Sequence, residues 1–105
     1  MTQMTVTIPK ALAGMSAAER EALIREGLQE AVQARIRQIK TEIAESGEHI
    51  RRFEAKYGLP LEQFEKQLDA ESMAAHEDYN EWFFWQNVLE RNQQALAEMG
   101  VNLDH

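Results

Sequence analysis

The sequence predicts an all-α protein: a long heptad-patterned helix, a short helix and a C-terminal helix folding back as an antiparallel hairpin, preceded by a short N-terminal strand and expected to dimerise. Three observations predict it. Val32, Ile36, Ile39, Ile43, Ile50, Phe53 and Tyr57 step by four, three, four, seven, three and four, a coiled-coil-like seam with one polar gap at Ser46. Trp82, Trp85, Leu89, Leu96 and Met99 repeat that spacing near the end of the chain. Gly58, followed by Leu59-Pro60, and Gly100 supply helix stops after each seam.

Along the chain, residues 3 to 8 alternate, with Met4, Val6 and Ile8 on one side and Gln3, Thr5 and Thr7 on the other. That pattern predicts a short strand ended by Pro9, and with no second strand in the chain its expected partner is the same strand of another copy. Ser16 is an N-cap, and Glu19 three residues on completes a capping box, so the long helix is expected from about Ala17 towards Tyr57. Gly27 and Ser46-Gly47 are its weak points, where a bend or a break could fall. After Pro60, Leu61, Phe64 and Leu68 mark a short helix, and the last helix runs from about Ser72 or His76 to Met99. At 105 residues the chain is read as one domain, an arm over residues 1–15 and a helical hairpin over residues 16–105.

Composition limits the chemistry. With no cysteine there is no disulfide, thiolate metal site or cysteine nucleophile, which fits a reducing compartment. His49, His76 and His105 lie far apart, Ser16, Ser46 and Ser72 sit in no nucleophile motif, and the five glycines are isolated, so neither a catalytic triad nor a phosphate loop is expected. His76-Glu77-Asp78 and Glu45/His49 are not ligand spacings. No catalytic residue, metal or cofactor is expected. The start of the chain lacks the pattern of a signal peptide and no stretch is apolar enough to span a membrane, so the expected location is the cytoplasm.

Charge is divided unevenly. The net charge is −7, with nine basic and eight acidic residues over 1–57 but two basic and ten acidic over 58–105. Within the acidic half, Tyr79, Trp82, Phe83, Phe84 and Trp85 bring together five of the eight aromatic residues. On a helix Trp82, Trp85 and Leu89 share a face, Tyr79 and Phe83 flank it, and Phe84 points away, so one neighbouring helix does not cover them all. Core packing of Trp82 and Trp85 near Ile50 and Phe53 is one reading. The other makes all five aromatics anchors for a basic protein partner, since acidic neighbours disfavour nucleic acid there.

Two resemblances bear on function. Thr5-Val6-Thr7-Ile8-Pro9, followed by Glu21-Ala22-Leu23-Ile24-Arg25-Glu26-Gly27-Leu28-Gln29-Glu30-Ala31-Val32, resembles the start of ribbon-helix-helix antitoxins over residues 4–32. That resemblance implies a strand-paired dimer whose ribbon reads DNA through Gln3, Thr5 and Thr7, with Lys10 as its single basic residue, and a C-terminal segment that clasps a basic toxin. Phe53-Glu54-Ala55-Lys56-Tyr57-Gly58 and Asp78-Tyr79-Asn80-Glu81-Trp82 look like stretches of small prokaryotic antitoxin-type proteins. Separately, Glu62/Glu65 and Asp78/Glu81, joined by Glu42/Glu45, loosely resemble the carboxylate pairs of all-α MazG-type pyrophosphohydrolases, which would imply magnesium-dependent nucleotide hydrolysis. The expected function is that of a non-enzymatic interaction protein of antitoxin type. A homo-oligomeric coiled-coil scaffold and the MazG-like hydrolase are its alternatives.

Overall fold

The computed structural model describes residues 10–69 and 72–101, and among these there are four helices and no strand. They are α1 (Lys10–Ala13), α2 (Ala17–Tyr57), α3 (Leu61–Lys66) and α4 (Met73–Glu98). The chain divides into two compact units between Arg35 and Ile36, inside α2. The alternating segment 3–8, with Gln3, Thr5 and Thr7, lies outside the described residues.

In the unit that ends at Arg35, a stretch expected to be arm holds the four-residue helix α1, closed by Gly14 and Met15 N–H groups donating to Ala11 and Leu12. The Ser16 hydroxyl oxygen then accepts from the Glu19 N–H at 3.2 Å, the cap the sequence predicts. From there α2 is unbroken through both Gly27 and Gly47. Every residue from 21 to 35 is exposed.

In the second unit the rest of α2 packs against α4 as an antiparallel hairpin. Tyr57 meets Asp78, Phe53 meets Trp82 and His49 meets Trp85, so α4 rises in number as α2 falls. Ile39 and Leu96 continue that register, and both are buried. Ile50, Phe53, Phe64 and Trp82 form the core, with Phe64 brought in by α3 at the connected end of the hairpin and Tyr57, Leu59, Leu61, Leu68, Ala75, Tyr79, Trp85 and Leu89 packed against it. Within the heptad seam, Ile39, Ser46, Ile50 and Phe53 are thus buried inside their own chain and Ile43 is half-buried.

The polar gap in the seam is satisfied locally. Ser46 is fully buried, and its hydroxyl donates to the Glu42 carbonyl at 2.8 Å, with the Ile43 carbonyl at 3.2 Å as a second acceptor. Both helix ends rely on glycines with positive φ. Gly58 (φ 72°) donates its N–H to Glu54, and Gly100 (φ 74°) and Val101 donate to Ala97 and Leu96, the Schellman pattern, in a conformation that costs residues with a Cβ more. Among the described residues no helix is long and apolar enough to cross a membrane.

Candidate functional site

The site is built on the first half of α4, which Ser72 starts by accepting the Ala75 N–H on its hydroxyl at 3.2 Å. One turn in, Asp78 lies on the same helix face as Trp82 and Trp85. A carboxylate on a packed face needs donors. It finds them on α2: Lys56 Nζ lies 2.7 Å from Asp78 Oδ2, and the Tyr57 hydroxyl donates to the same oxygen. These two bonds, Lys56 first, hold the Asp78 carboxyl below the usual carboxylate range. In return the bond to Asp78 raises Lys56, and the same bond together with partial burial raises Tyr57.

Below this clamp Trp82 is the centre of the core, 0% exposed and ringed by Phe53 at 5.5 Å, Phe64 at 5.4 Å and Tyr57 at 6.1 Å between ring centroids. Such ring pairs add stability beyond the area they bury. Its indole Nε1 has no hydrogen-bond partner, a cost of about 1–3 kcal/mol that the surrounding rings offset. Trp82 therefore leaves the set of five expected partner anchors: none of its surface is open to a second protein. Trp85 is half-buried because His49 lies flat on it, with centroids 4.0 Å apart and planes within 4°.

Tyr79 is half-buried against the core, whereas Phe83 and Phe84 face outward. Phe83 is 47% and Phe84 53% exposed. Phe83 stacks on Tyr79 at 5.9 Å, whose hydroxyl is pushed up by desolvation and by Glu65, while Phe84 meets the edge of Trp85 at 5.1 Å. Phe84, Asn87, Glu90, Arg91 and Gln94 line a shallow surface depression on α4. Glu77, Glu81 and Glu90 are exposed around these rings, and Arg91 is the single arginine or lysine of α4. Chemically this is a pair of exposed apolar rings in a negative setting, held from beneath by a packed hairpin.

The structure treats the other candidates differently. Lys10 is exposed on α1. Among the described residues no three histidine or carboxylate side chains converge as a metal site would require, and a magnesium ion at Asp78 would have to displace Lys56. Three residues that complete the site were not singled out for it from the sequence, Lys56, Tyr57 and His49. The signal for the first two was Asp78 itself, an acid sharing the face of two tryptophans; for His49 there was none beyond its place on α2 one position before Ile50. Compared with family models, with curated proteins and with solved structures, the chain matches none.

Proposed function

We propose that the protein is a non-enzymatic interaction module of antitoxin type, which binds a basic partner protein through Phe83, Phe84, Tyr79 and the exposed edge of Trp85, and which self-associates through its N-terminal part. The observation that carries the reading is the adjacent exposure of Phe83 and Phe84 on a helix with five acidic residues and one arginine. Large aromatics left open on a rigid element are the anchors that dominate protein interfaces, and the surrounding carboxylates select a partner of positive charge and steer its approach. Trp82 and the Asp78 clamp support the surface from within.

Co-expression with the product of an adjoining small basic reading frame tests this. Phe83→Ala/Phe84→Ala is expected to abolish co-purification while helicity persists, because neither ring belongs to the core. Undiminished co-purification of the double variant would refute the aromatic surface as the binding site.

A further inference from the structure

We infer that the exposed apolar stripe of α2 between Ala17 and Arg35 is the contact with a second copy of this chain, packed antiparallel with Leu28 at the twofold axis. The inference rests on the self-association in the reading above and gives it a surface and a register.

Four large apolar side chains stand open here: Leu23 is 47%, Ile24 39%, Leu28 62% and Val32 48% exposed. At 100° per residue Ile24, Leu28, Ala31 and Val32 fall within about a quarter-turn, and Leu23, Gly27 and Ala34 continue the same side. Contiguous apolar surface of this kind marks an interface. Gly27 adds a second sign. Among the described residues a Cβ built there would meet nothing within 4 Å, although glycine in a helix interior costs about 1 kcal/mol against alanine. Room beside Leu28 is what a facing helix needs in order to approach closely.

Charge complementarity favours a second copy as the occupant. Residues 17–35 carry four glutamates and three arginines, close to neutral, in a chain of net charge −7. Such a surface complements neither a strongly basic nor a strongly acidic partner, and the order of its charges suits a second copy. With Leu28 on the axis, antiparallel packing sets Ile24 opposite Val32 of the second copy and Glu21 opposite its Arg35. Each pair occurs twice, as a self-complementary contact requires. Parallel packing would set glutamate against glutamate and arginine against arginine. Glu21 also bonds Arg25 at 3.1 Å within its own helix, and that pair borders the stripe.

The chain contains no cysteine, so introduced thiols report the register directly. Under mild oxidation of the full chain, Leu28→Cys is expected to form a disulfide-linked dimer. Ile24→Cys and Val32→Cys are each expected to stay uncrosslinked alone and to crosslink at least tenfold more when the two variants are mixed. Equal crosslinking of Ile24→Cys alone would mean parallel packing and overturn the proposal, as would absence of crosslinking at all three positions, which would leave the stripe to another protein or to residues 1–9. Sedimentation supplies an arm free of thiols: the unaltered chain should show a two-chain mass, and Leu28→Glu a one-chain mass with unchanged helicity. A two-chain mass that survives Leu28→Glu, or a one-chain mass before any change, overturns it. Phe83→Ala/Phe84→Ala should leave the crosslinks intact, so loss of this contact and loss of partner binding are told apart.

Discussion

Asp78 illustrates how one ionised side chain can tie two helices together. Its carboxyl is held low by Lys56 and Tyr57, so the stability it contributes is complete above the unfolded-state value of about 4 and is lost as pH falls through the lower folded-state value. Lys56 and Tyr57 are both raised, so their contribution is complete below about 10 and is lost as pH rises through their folded-state values. Solvent screens the pair, since Lys56 is largely open. Urea titrations should therefore show a midpoint that drops below pH 4, and Asp78→Asn should lower the midpoint at pH 7 while flattening that acid limb; an acid limb identical to the parent's would contradict the clamp. In the sequence Asp78 was visible only as one of several spaced carboxylates. Its donors lie more than twenty residues away, and their pairing depends on a hairpin register that local spacing does not encode.

Helix ends were far more legible, because a cap is a contract among residues a few positions apart. Ser16 as N-cap, Gly58 before Leu59-Pro60, and Gly100 each do what their residue types predict. The last helix was bracketed between two starts, and Ser72 proves to be the cap. Ser72→Ala is expected to lower stability by about 1 kcal/mol, and Gly58→Ala by about 1–2 kcal/mol through its left-handed φ, even though a methyl group there would touch nothing. Thermal melts followed by circular dichroism would check both; a Gly58→Ala variant as stable as the parent would show that the end of α2 relaxes elsewhere. Less legible was which stretch of α2 its own chain covers. Ser46 is a polar gap in the seam, yet among the described residues it is the most deeply buried polar or charged one, since a hydroxyl that returns to its own helix needs no other partner. The four-residue helix α1 was missed because one turn has too little periodicity to register.

At the scale of the whole chain, the hairpin, its bridging helix and the acidic second half were all readable from spacing and charge. The sorting of the aromatic run was readable only in outline: helical spacing separates Phe84 from Trp82, but full burial of Trp82 required Phe64 from α3 and Tyr57 from the end of α2. The exposed surfaces are of two chemical kinds, an aliphatic near-neutral stripe in the first unit and an aromatic acidic face in the second, which suits them to different occupants. The lone indole N–H of Trp82 has a kinetic consequence. With no acceptor and no exposed surface, its hydrogen can trade with solvent only when the hairpin opens, so it times that opening. In deuterated buffer the Trp82 indole signal should outlast that of half-buried Trp85 by orders of magnitude, and destabilising the hairpin should shorten it in proportion. Equal lifetimes would mean that water reaches the middle of the core without unfolding it; otherwise a single proton serves as the clock of the fold.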